Sequence, residues 1–125
     1  MSKTVIRTDN APAAAGPYSQ AIVANGFVFC AGQVAYLPGS RTLAEGGIQA
    51  QTRQTLTNIK AVLEAAGTNM DNVVKTTVFL SDISNFAAMN EVYTTFFGGS
   101  PPARSTVQVI LPLGALIEIE AVATL

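Results

Sequence analysis

Hydrophobic and polar positions follow two rhythms along this chain. The first is extended. KTVIRT (3–8) is a short β-branched run and predicts a first strand. Residues 18–34, YSQAIVANGFVFCAGQV, hold two β-prone runs flanking Asn25-Gly26. That dipeptide favours a type I′ turn, so the stretch predicts a hairpin. Small residues and prolines in APAAAGP (11–17) mark a loop, as does YLPGSRTLAEGG (36–47). The second rhythm is helical. Ile48, Thr52, Leu56, Ile59, Leu63 and Ala66 recur at spacings of three and four, and Gly67 is placed to end that helix. NVVKTTVFL (72–80) returns to a β-branched strand pattern. Asp82 or Ser84 can cap a second helix with the apolar stripe Phe86, Met89, Tyr93, Phe96 and Phe97, which GGSPP (98–102) breaks. Strands are expected at 103–110 and 116–124.

The order β, ββ, α, β, α, β, β predicts an α/β or α+β chain with both helices on one sheet face. Its 125 residues suggest one domain, 1–125. Composition changes the picture of the other face. Charged residues make up 12% and hydrophobic residues 49%, against about 25% charged in an average soluble domain. The surplus apolar surface suits subunit interfaces, with sheet against sheet as one arrangement. No window approaches 18 uninterrupted apolar residues, so a membrane is not the expected sink.

Charge and chemistry narrow the function classes. Net charge is −1 and the seven basic residues are scattered, which argues against a nucleic-acid footprint. There is no histidine and one cysteine, Cys30. That excludes His-based triads, Cys/His zinc sites and an intrachain disulfide. MSKTVIRTDN lacks the apolar core of a signal peptide, so a cytoplasmic location is expected.

From Val92 to Leu125 the chain carries only Arg104, Glu118 and Glu120 as charges. A charge in so apolar a segment needs a partner. Period-2 alternation puts Arg104, Thr106 and Gln108 on one face of their strand and Ser105 on the other; Glu118 and Glu120 share a face of the last strand. The two strands look adjacent, so Arg104 can pair with a glutamate and fix strand register. Equally, its planar fork can bind a ligand carboxylate while Glu120 or Glu118 handles a proton or a water. The paired carboxylates should feel one another, raising one pKa. Tyr18 is either a core residue with a wet tip or a phenolic donor. Asn90 is either an exposed helical residue or a cap on a site. Ala31-Gly32-Gln33 can present backbone groups, and Cys30 reads as core.

Four stretches, APAAAGPYSQAIVANGFVFCAGQ, VVKTTVFLSDISNFAAMNEVYTTFF, PPARST and IEIEAVA, resemble the RidA (YjgF-like) family of imine/enamine deaminases in the same order. The resemblance implies a chorismate-mutase-like α+β fold: a single mixed sheet, two helices on one face, and a homotrimer with a central barrel and sites between subunits. It implies hydrolysis of 2-enamino and 2-imino acids, released by pyridoxal-phosphate dehydratases, to 2-keto acids and ammonia, without a cofactor or metal. By position it gives Arg104 the substrate carboxylate and Glu120 the hydrolytic water. Tyr18, Ala31, Gly32, Phe86, Asn90, Ser105 and Thr106 become substrate-binding positions. Arg104 should then line a pocket at a subunit boundary, with its fork partly free of protein carboxylates. Many members have Ser at Ala31 and Cys at Thr106; Thr106 keeps a hydroxyl. Imine hydrolysis needs an anchor, a placed water and proton transfer, so the missing histidine costs it nothing. A ligand-sensing module using the same cleft, and a ribonuclease, are the alternatives.

Overall fold

The computed structural model of the chain describes residues 2–125. Six strands form one mixed sheet: β1 (Thr4–Ile6), β2 (Ala21–Ala24), β3 (Phe27–Gln33), β4 (Val73–Leu80), β5 (Ala103–Gln108) and β6 (Ile117–Thr124). Their spatial order is β1-β2-β3-β6-β4-β5. Only β4 and β5 are parallel; the other pairs are antiparallel. Helices α1 (Gly47–Ala65) and α2 (Phe86–Tyr93) cover one face.

The β2–β3 hairpin forms as its dipeptide predicts. Asn25 and Gly26 both take positive φ, 54° and 81°, as a type I′ turn requires. Helix α1 buries Thr52, Leu56, Ile59 and Leu63 of the expected stripe, and Gly67 follows its C-terminus at φ 91°. Helix α2 is shorter than its stripe suggests. Asp82 accepts a hydrogen bond from Ser84 N–H and opens a 3-10 turn, Ile83–Asn85, before the helix proper. A second 3-10 turn, Thr94–Phe96, follows it. Phe96 and Phe97 therefore pack from beyond the helix, and Phe86, at its first residue, is exposed rather than core.

The core lies between the helices and the sheet. Val28 and Cys30 of β3, Val78 and Leu80 of β4, and Ile117 and Ile119 of β6 meet Leu56, Ile59, Val62 and Leu63 of α1. Each fully buried aliphatic side chain contributes about 1.5–3 kcal/mol. Burial pushes the Cys30 thiol up to about 12, with Glu120 adding to the shift, so the residue is an inert core thiol.

Asn58 and Gln51 of α1 are also buried, because they satisfy loop backbone. Asn58 donates to the Val34 and Tyr36 carbonyls, and Gln51 accepts from Leu116 N–H. The opposite sheet face is open. Val5, Phe27, Phe29 and Val107 are 39–53% exposed there. The expected burial of this face is therefore not provided by the chain itself.

Candidate functional site

Strand register decides how the three isolated charges relate. Arg104 pairs with Thr76 of β4, and Thr76 pairs with Ala121 of β6. That row faces the helices. Ser105, Thr77 and Glu120 form the next row and face the open side, as do Val107, Phe79 and Glu118. The strands of Arg104 and the glutamates are not adjacent, since β4 lies between them. Arg104 and both carboxylates thus project from opposite faces of one sheet. The register-fixing ion pair left open by the sequence does not form within the chain.

Arg104 sits on edge strand β5 against α2. Its Nη1 donates to Asn90 Oδ1 at 2.7 Å. Its guanidinium carbon lies 4.7 Å from the Tyr93 ring centre and 5.4 Å from that of Phe86. The Tyr93 hydroxyl is pinned to Thr76 Oγ1 at 2.7 Å. Burial raises the Tyr93 pKa, outweighing its hydrogen bonds and the nearby Arg104, so the phenol stays neutral beneath the cation. The arginine is held by a neutral amide oxygen and two aromatic faces. That leaves its charge for an anion. A cleft of about 580 Å³ opens here, lined by Asn90, Tyr93, Phe97, Pro102 and Arg104. Thr106 is on the same face, and its hydroxyl is buried without a partner among the described residues.

A second cleft, about 390 Å³, is lined by Pro12, Ala13, Tyr18, Ala31, Gly32, Arg41 and Glu118. Tyr18 is 52% exposed rather than core. Its oxygen accepts from Ala15 N–H at 3.2 Å, and its hydroxyl proton can still donate. Ala31 and Gly32 occupy a bulge of β3, where register shifts between Cys30 and Gln33. The bulge lets Glu118 approach: a Cβ on Gly32 would collide with Glu118 Oε2. The Glu118 pKa is raised, chiefly by burial and secondly by the Glu120 charge, so one of the paired carboxylates is perturbed as expected. Glu120 is exposed and borders a smaller groove, about 230 Å³, with Phe29, Lys75 and Thr77. The structure therefore groups Tyr18, Ala31 and Gly32 with Glu118, and Arg104 with Asn90 and Phe86. Ser105 lies with Glu120 on the open face. The residue pattern left Glu118 and Glu120 as alternatives for the proton or water, and the resemblance chose Glu120; the signal that separates them is the missing side chain at Gly32.

Gly32→Ala is expected to displace the Glu118 carboxylate and lower turnover at least tenfold, since misplacement by about an ångström can cost up to 100-fold. Its φ is not positive, so the fold should survive. Kinetics and a melting curve on the same preparation check both halves.

This is an α+β chain with a charge-poor mixed sheet and two clefts on opposite faces. The family model described as Endoribonuclease L-PSP matches residues 8–125, and the chain belongs to that family. A RutC family protein of Pyrococcus horikoshii is 55% identical over 97% of both chains. The 2-iminobutanoate/2-iminopropanoate deaminase of Mus musculus is 48% identical over 97% of this chain and 90% of its own. Among solved structures, RidA from a Psychrobacter species superposes with TM-score 0.93 at 44% identity, covering 98% of this chain and 99% of its own. Escherichia coli TdcF with bound serine gives 0.91 at 39% identity, covering 97% and 98%. The RidA/YjgF resemblance read from the sequence holds.

Proposed function

We propose that this chain hydrolyses 2-imino and 2-enamino acids to 2-keto acids and ammonia, in clefts completed by neighbouring copies of itself. The observation that carries this reading is Arg104: a guanidinium steadied by Asn90, Tyr93 and Phe86 and presented to an external anion. Relatives named 2-iminobutanoate/2-iminopropanoate deaminase at 47–48% identity support the reaction class. A relative that binds serine supports a small amino-acid-like ligand.

Arg104 holds the substrate carboxylate through two parallel N–H···O bonds. Glu118 is the carboxylate best placed to handle water, because it lines the cleft beside Tyr18 and the bare Cα of Gly32, and its burial there favours holding a proton. Ionised, it takes a proton from water as the oxygen bonds to the imine carbon, and passes that proton to the nitrogen, giving a neutral carbinolamine and the ionised carboxylate again. The carboxylate then relays the carbinolamine's O–H proton to the amine as the C–N bond breaks, releasing ammonia and the 2-keto acid. For an enamine, protonated Glu118 first delivers a proton to C3 and generates the imine. Tyr18 can donate to the developing oxygen or hold the water.

Arg104 and Glu118 face opposite sides of one sheet, so a site containing both needs a second chain. The open apolar face supplies the surface for it, and a closed ring of three is the arrangement proposed. Phe29→Glu, which puts a charge at the centre of that face, is expected to give a monomer by light scattering and to abolish turnover. A stable trimer that retains turnover sinks the shared-cleft proposal.

The activity is tested by coupling the purified chain to a threonine dehydratase with semicarbazide as imine trap. Faster 2-keto acid formation is the expected result. No acceleration alongside tight 2-keto acid binding assigns a ligand sensor instead. The family description favours a ribonuclease as second reading. It sits poorly with a chain of net charge −1 without histidine, and RNA cleavage that cleft substitutions alter is the result that revives it.

A further inference from the structure

We propose that Gln20 is a positioning residue that sets the spacing between the two walls of the Glu118 cleft; the inference rests on that cleft being the reaction site. Gln20 lies just before β2 and is 3% exposed. Its Oε1 accepts from Thr8 N–H at 2.8 Å. Its Nε2 donates to the carbonyls of Pro12 at 2.8 Å and Thr8 at 3.1 Å, and lies 3.5 Å from that of Ala11. The amide can point only one way, because reversing it would set its oxygen against three carbonyls. Its backbone carbonyl accepts from Ala31 N–H at 2.9 Å.

The side chain thus anchors the loop whose Pro12, Ala13 and Tyr18 form one wall. The main chain of the same residue anchors the bulge whose Ala31 and Gly32 form the other. No part of Gln20 lines the cleft. Its role is the distance between Tyr18 and the Gly32–Glu118 contact. A buried amide with every polar atom satisfied can hold that distance firmly, and a half-satisfied one cannot.

Gln20→Met keeps the volume and removes the hydrogen bonds. It is expected to lower kcat roughly 10- to 100-fold with KM within about threefold, because the Arg104 anchor is untouched. Amide exchange should quicken in residues 8–18 and 30–33 and stay unchanged in β4. Val62→Ala, in the α1 core, is the control for lost stability and should leave kcat/KM unchanged. Gln20→Glu adds a pH signature. Ionised, it opposes the Pro12 and Thr8 carbonyls; protonated, it can donate to one of them while still accepting from Thr8 N–H. Its activity relative to the native chain should therefore rise as pH falls.

Native-like kcat and exchange in Gln20→Met overturn the proposal, as does a loss that Val62→Ala reproduces. If Gln20→Met does not fold, a flat activity ratio across pH for Gln20→Glu overturns it. A native chain without deaminase activity defeats the functional reading, and the exchange measurement then still decides whether Gln20 couples the two walls.

Discussion

Arg104→Ala is expected to lower kcat/KM for 2-imino acids by about 100- to 1,000-fold, the range for removing one partner of a hydrogen-bonded charge pair. The loss should fall largely on KM, since the carboxylate is gripped before and during reaction alike. Arg104→Lys should recover only a small part. A lysine keeps the charge but loses the planar fork, the stacking on Tyr93 and Phe86, and the defined bond to Asn90. The fold should barely notice, because Arg104 lies half-buried on an edge strand and its cation–π contacts are worth about 0.5–1 kcal/mol at such a site. Steady-state kinetics with the trapped-imine assay, beside a thermal melt, separate the two effects. A variant within threefold of the native chain would remove the central support for the proposed function.

Asn90 and Phe86 explain why this arginine is presented and not consumed. Both come from α2, and both are neutral. A carboxylate at Asn90 would fill the fork; an aliphatic residue at Phe86 would leave the guanidinium one flat neighbour fewer. Pro101 and Pro102 precede the strand and fix the lead-in to Ala103. The motif PPARST thus delivers a cation in one orientation to the helix side of the sheet.

Local pattern made the elements legible, and it failed where long-range pairing decides. Asn25-Gly26 and the α1 stripe carry their own geometry, so the hairpin and the helix follow from a few neighbouring residues. Period 2 placed Glu118 and Glu120 on a common face for the same reason. Nothing local says that β4 inserts between β5 and β6, or how the rows align. That alignment alone puts Arg104 opposite the glutamates. The same limit explains the choice between Glu118 and Glu120. Two residues apart on one face, they are equivalent to any periodic argument. The β3 bulge and the bare Cα of Gly32 break the equivalence, and both belong to a strand far earlier in the chain.

Glu118→Gln is expected to cost about 100- to 1,000-fold in kcat, within the usual span for a general acid–base group, and to make the chain more stable at pH values above the folded Glu118 pKa. The second half follows from linkage. Burial raises the Glu118 pKa in the folded state, so the folded chain holds this proton more tightly than the unfolded one. Its stabilising contribution is present below the unfolded value and is lost as pH rises through the folded one. Above the folded value the ionised carboxylate is a burden that glutamine lacks, so the variant should melt higher there, by an increment that solvent screening keeps modest. Below the unfolded glutamate value the advantage should vanish. Glu120→Gln separates the roles of the pair. It removes the second cause of the Glu118 shift while leaving Glu118 in place. The acid limb of kcat, where Glu118 must ionise to take a proton from water, should then move to lower pH with its plateau kept. If the plateau collapses in Glu120→Gln and survives in Glu118→Gln, the water belongs to Glu120. The Gly32 contact would then be a packing detail and not part of the chemistry.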